Sequence, residues 1–133
     1  MSGPLVRVLC GPDVEPPPLG DSAAALGVRV EMASATDVDA LNDLLRAALA
    51  EADGVLVSPG SLSLNDCAAA GALAAADQPA VEVHATNLFD TPGAVAPLQG
   101  QGGQFGLVCG LGDRGYPLAL KFLRARLEEA GSA

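Results

Sequence analysis

Residues 54–57 read GVLV and are followed at once by Ser58, Pro59 and Gly60. Three bulky apolar residues in a row, two of them β-branched and closed by a Pro-Gly turn, make a short strand rather than a helix. The run does not alternate with polar residues, so both faces of the strand are buried, as happens when helices cover a parallel sheet on each side. Outward from this segment the pattern recurs. Leu5–Leu9, Val28–Met32, Ala80–His84 and Gly106–Cys109 are further short apolar runs, giving five strands in all.

Amphipathic stretches lie between the strands. Thr36 or Asp37 can cap a helix in which Val38, Leu41, Leu44, Leu45 and Ala48 form one apolar face, and Asp39 stands at capping-box spacing from Thr36. A third helix is expected from about Asn65 to Asp77 with Asn65 or Asp66 as its N-cap, and a last one from about Asp113 to Ala130 with Leu120, Leu123 and Leu127 spaced for burial. The first, Ser22–Leu26, is short. Right-handed crossovers then predict an α/β, flavodoxin-like three-layer sandwich whose five-stranded parallel sheet has the order 2-1-3-4-5. The whole of 1–133 is expected to form a single domain, with its ligand crevice beyond the carboxyl ends of the strands. Loops 10–20, 58–65, 85–103 and 110–115 frame that crevice.

Composition narrows the function. Apolar residues make up 50% of the chain against 17% charged, enough for a packed core. A net charge of −9 repels nucleic acid and anionic membrane surfaces, so neither is an expected partner. With no apolar run of membrane-spanning length and no basic-then-apolar leader, a cytoplasmic location is expected. Cys10, Cys67 and Cys109 stand in unrelated contexts with a single histidine in the chain. They read as free thiols, and neither a metal nor another cofactor is expected.

Chemistry concentrates on two segments. Glu82 and His84 stand two apart on one strand, so both side chains leave the same face. A carboxylate there is costly unless paired, and a neighbouring imidazole takes that part while being held in one tautomer. The pair is an oriented general acid/base or a buried structural contact. Ser58 and Ser61, leaving the third strand, face the same crevice. A Ser–His–Asp hydrolase of Ser58 or Ser61, His84 and Asp90 is disfavoured because G-x-S-x-G is absent. Residues 110–115, GLGDRG, match G-x-G-x-x-G, but no strand follows to carry the ribose-binding acid, so close helix–strand packing accounts for these glycines.

Four blocks together resemble the type II 3-dehydroquinate dehydratases: VLCGP (8–12), ADGVLVSPG (52–60), PAVEVHATNLF (79–89) and GLVCGLGDRGYPLAL (106–120). The resemblance implies a flavodoxin-like fold and a homo-oligomer, trimer or dodecamer. It also implies a reaction that removes water from a cyclic ketone, in which a tyrosinate takes the proton beside the carbonyl and a histidine protonates the departing hydroxyl. Carried over residue by residue, Glu82 matches the orienting glutamate, His84 the acid, Asn87 the substrate loop and Asp13 a water-holding asparagine. Three other positions differ. Ser58 replaces the asparagine of the family's NPG, Leu64 a substrate-binding histidine, and Val95 stands at or near the carboxylate-gripping arginine. The segment that carries the family's tyrosine base and its arginine is reduced here to DVEPPPLGD (13–21), with neither residue type between Cys10 and Gly27. Tyr116, the single tyrosine, belongs to the GY of the last block and not to that segment.

The leading expectation is therefore a repurposed enzyme of this fold. His84 and Glu82 act as the acid/base pair on a neutral, fairly apolar cyclic or polyketide-like carbonyl compound, a small-molecule substrate. Asp13, Ser58, Ser61, Leu64, Asn87, Leu88 and Val95 are the expected substrate contacts. Asp13, Glu15 or Asp90 is the expected replacement for the lost base. The competing readings are a non-catalytic binding or scaffold protein of the same fold, and a genuine 3-dehydroquinate dehydratase with a displaced base.

Overall fold

Strand parity divides the core in two. Val6, Val8 and Cys10 face one side with Leu56, Val81 and Val83, while Leu9 faces the other with Val55, Val57 and Ala80. The computed structural model, which describes residues 3–98 and 105–131, arranges these residues on β1 (Leu5–Cys10), β2 (Arg29–Ser34), β3 (Gly54–Ser58), β4 (Ala80–His84) and β5 (Phe105–Cys109). All pair in parallel in the order β2-β1-β3-β4-β5. This is the flavodoxin-like sheet that the apolar runs imply. The helices α1 (Gly20–Leu26) and α4 (Gly115–Gly131) cover the first face through Ala23, Tyr116, Ala119, Leu120 and Leu123. The second face is covered by α2 (Val38–Glu51) and α3 (Ala70–Ala75) through Leu41, Leu45, Ala48 and Leu73. Each buried Leu or Val contributes about 1.5–3 kcal/mol, so the two layers hold the central strands from both sides.

Local sequence explains most boundaries. The Asp37 carboxylate accepts the Ala40 amide at 2.8 Å, making Asp37 rather than Thr36 the cap of α2. The stretch expected as one helix over 65–77 is instead divided into a 3-10 turn, Leu64–Asp66, and the six-residue α3. The Ser63 hydroxyl accepts the Asn65 amide, Cys67 is extended, and Asn42 Oδ1 accepts the Ala69 amide at 2.7 Å, so side chains from outside the segment satisfy the amides a continuous helix would use. Neither Asn65 nor Asp66 is a cap; the Asn65 side chain donates to the Pro97 carbonyl at 3.0 Å.

Gly115 packs where an added Cβ would lie 3.2 Å from Val108 and 3.4 Å from Val83, while Gly110 and Gly112 serve the turn, with φ of +83° and +58°. Among the described residues no helix is long and apolar enough to cross a membrane.

Candidate active site

Past the carboxyl ends of β3 and β4 lies a cavity of about 410 Å³ bounded by residues of 13–15, 58–61, 84–95 and 113–116. Apart from His84 at the end of β4 and Tyr116 on α4, its residues fall within the loops expected from topology; residues 99–103 of the expected 85–103 loop lie outside the described residues. His84 and Glu82 share the face of Val57, the register partner of Glu82. The imidazole donates from Nε2 to Glu82 Oε2 at 2.5 Å, leaving Nδ1 as the ring nitrogen for the cavity that His84 lines. Glu82 is wholly buried, and its other oxygen accepts the Leu98 amide at 2.8 Å. One carboxylate thus fixes the histidine and ties down the returning loop.

Asp13, on the segment after β1, reaches across to the segment after β3. Its Oδ1 accepts the Ser61 amide at 3.0 Å and the Ser61 hydroxyl at 3.1 Å. Hydrogen bonding to Ser61, chiefly through its amide, holds the Asp13 carboxyl below the ordinary aspartate range despite partial desolvation. Gly60 makes the contact possible: its φ is +61°, and a Cβ there would lie 2.2 Å from Asp13 Oδ1. Pro16, Pro17 and Pro18 then carry the chain to Leu19, which is buried under α1.

Of the expected substrate contacts, Asp13, Ser58, Ser61, Leu88 and Val95 line the cavity beside His84. Leu64 does not. It is wholly buried with the α2 and α3 core, because an apolar side chain at the start of the 3-10 turn gains more from that layer than from the crevice. Asn87 is also absent from the lining, since its side chain serves its own loop, accepting the Phe89 amide and donating to Asp90 at 3.0 Å.

The same contact keeps Asp90 from completing a serine triad, and the His84 nitrogen that would face a third residue is already taken by Glu82. Among the candidate bases, Asp90 is off the cavity while Asp13 and Glu15 line it, and Asp13 is a weaker base than an ordinary aspartate.

Sequence reasoning did not place Thr86, Thr91, Asp113 and Tyr116, polar residues that also line the cavity. The Tyr116 hydroxyl lies 2.9 Å from Ser58 Oγ, and both side chains are buried. Burial pushes the phenol above its ordinary range, the reverse of what a tyrosinate base needs. The GY block gave Tyr116 its helix position; its reach to Ser58 depends on β3 and α4 sharing a sheet face. Asp13, Glu15 and Asp113 make the lining acidic, and among the described residues no lysine or arginine belongs to it. Arg114 instead points to a separate groove between α1 and α4 with Lys121.

A parallel sheet of this order, with a carboxylate-bound histidine in the crevice past its strand ends, defines a flavodoxin-like α/β protein. Residues 17–124 match the family described as dehydroquinase class II, and the chain belongs to that family. It is 33% identical over 116 residues to a 3-dehydroquinate dehydratase of Dinoroseobacter shibae, covering 84% of this chain and 74% of that one. To a 3-dehydroquinate dehydratase of Roseiflexus castenholzii it is 36% identical over 110 residues, covering 79% and 67%. The type II dehydroquinase of Butyrivibrio crossotus superposes with a TM-score of 0.74 at 19% identity, covering 91% of this chain and 97% of that structure, a likeness of fold.

Proposed function

We propose that the chain is a lyase of the dehydroquinase family that eliminates water from, or shifts a proton in, a neutral and largely apolar carbonyl compound, with His84 as the general acid/base. The observation that carries this is the cavity's composition: an oriented histidine among Asp13, Glu15 and Asp113, with Leu88, Ala94 and Val95 and, among the described residues, without a lysine or arginine side chain. An anionic substrate meets like charge there, whereas an uncharged ring system meets apolar contacts. Glu82 keeps His84 in the tautomer whose Nδ1 accepts a proton and stabilises the imidazolium that results. A homo-oligomer, trimer or dodecamer, belongs to this reading, and exposed Leu111, Leu118 and Phe122 offer apolar surface for it.

The relatives named 3-dehydroquinate dehydratase favour a second reading, that this chain is a genuine enzyme of that activity. A scaffold role is less favoured, since the side chains of the described residues leave the crevice open. Two assays separate these readings: dehydration of 3-dehydroquinate by the purified protein together with rescue of a dehydroquinase-deficient strain, and turnover of a panel of uncharged β-hydroxy ketones. No rescue with turnover of a panel member is expected. Rescue at ordinary expression would overturn the proposal in favour of the second reading.

A further inference from the structure

The cavity straddles the sheet. His84 and Glu82 come from the face covered by α2 and α3. Ser58 follows Val57 and so belongs to the opposite face, where Tyr116 packs from α4. The hydroxyls of Ser58 and Tyr116 are 2.9 Å apart, their residues are 2% and 5% exposed, and both line the cavity. Two hydroxyls carry two protons, and their mutual bond uses one. Neither makes another hydrogen bond among the described residues, so one O–H is left for a group in the cavity.

We propose that the Tyr116 hydroxyl, held by a bond from the Ser58 hydroxyl, donates to the substrate's carbonyl oxygen and stabilises the enolate formed when His84 removes the neighbouring proton. This rests on the elimination reading above. In the first step the C–H bond breaks, its pair forms the C=C bond of the enolate, the carbonyl π pair moves to oxygen, and the proton resides on His84 Nδ1. In the second the imidazolium gives that proton to the β-hydroxyl, the C–O bond breaks, water leaves, and the enolate pair restores the carbonyl beside a new double bond. No oxidant, reductant or cofactor enters. Burial keeps the phenol protonated, as a donor requires, and a donor whose own oxygen accepts a hydrogen bond is strengthened by it. Tyr116 is then a catalytic residue and Ser58 its positioning residue. Removing such a donor typically lowers turnover by about 10²–10³.

Isotope-labelled acetophenone, a neutral aromatic ketone that lacks a β-hydroxyl, is the probe. Its carbonyl stretch, read by difference infrared spectroscopy at saturation, is expected at low frequency on the wild-type protein, at higher frequency on Tyr116→Phe, and at the wild-type value on His84→Ala. Ser58→Ala gives an intermediate shift, which keeps the test decisive if Tyr116→Phe folds poorly. An unchanged frequency on both hydroxyl variants, or no saturable binding by the wild type, would overturn the assignment. A shifted carbonyl without turnover of any β-hydroxy ketone leaves the donor site standing and removes the elimination reading.

Discussion

Glu82 Oε1 accepts the Leu98 amide at 2.8 Å while its Oε2 holds His84, so a single buried carboxylate couples the histidine to a loop 16 residues further along the chain. The coupling makes the effect of removing the charge separable from that of removing the side chain.

Glu82→Ala leaves both the imidazole Nε2–H and the Leu98 amide without an acceptor. A buried group left unsatisfied costs about 1–3 kcal/mol, so the variant should lose stability on that scale. Glu82→Gln keeps an acceptor and should lose less. Denaturant midpoints check the ranking, and hydrogen exchange at Leu98 should quicken in the alanine variant but not in His84→Ala.

Where an uncharged β-hydroxy ketone is turned over, His84→Ala should lower kcat by about 10²–10⁴, the usual contribution of a positioned general acid or base. Glu82→Gln should fall between it and the wild type. Full activity from a folded His84→Ala protein would place the proton transfer elsewhere.

The chain has one tyrosine and no tryptophan, so its tyrosinate absorption band reports Tyr116 alone. The band should rise with a midpoint above the ordinary tyrosine range, because burial disfavours the charged phenolate. A pKa raised in the folded state adds stability that is complete below the unfolded value of about 10 and is lost as pH climbs through the folded value. A midpoint in the neutral range would instead mark Tyr116 as a base.

Gly60→Ala combines a left-handed backbone with a Cβ 2.2 Å from Asp13 Oδ1. The backbone alone costs about 1–2 kcal/mol. Adding Asp13→Ala should recover part of the total loss, a non-additivity readable in a double-mutant cycle. For Asp13 the sign is the reverse of Tyr116: its lowered pKa adds stability above the unfolded aspartate value that fades as pH falls through the folded one.

Calorimetry should find that quinate and shikimate bind more weakly than acetophenone at low salt, where the cavity's carboxylates repel anions most. Anion binding that strengthens as salt is lowered would contradict the charge reading of the lining.

The α2 face and the Glu82–His84 pair were legible because each depends on spacing within one element, and strand order because right-handed crossovers constrain the alternation of strands and helices. The parity of GVLVS places Val57 and Ser58 on opposite faces, and two-residue spacing puts Glu82 beside His84. The Ser58–Tyr116 contact was not legible, since 58 residues separate its partners and only the shared packing of β3 and α4 joins them. Nor did any local signal mark the Leu98 amide as the second partner of Glu82. Leu64 shows a different failure: alignment set it against a ligand-binding position, but its chemistry turned it into the α2 and α3 core. The division of the helix over 65–77 came from Asn42, a residue of another helix that supplies an acceptor no window around Ala69 contains.

The run Pro16-Pro17-Pro18 has three fixed φ angles in succession, which lowers the entropy this rim loses on ordering. Together with the Asp13–Ser61 clasp at one end and buried Leu19 at the other, it stiffens the segment that supplies Asp13, Val14 and Glu15 to the crevice. An entrance with such a rim needs no closing motion to be well formed. Turnover by this protein should accordingly be indifferent to solvent viscosity away from the diffusion limit. A crevice whose rim is already formed would suit a reaction in which water departs as a product better than one that must protect an intermediate from it.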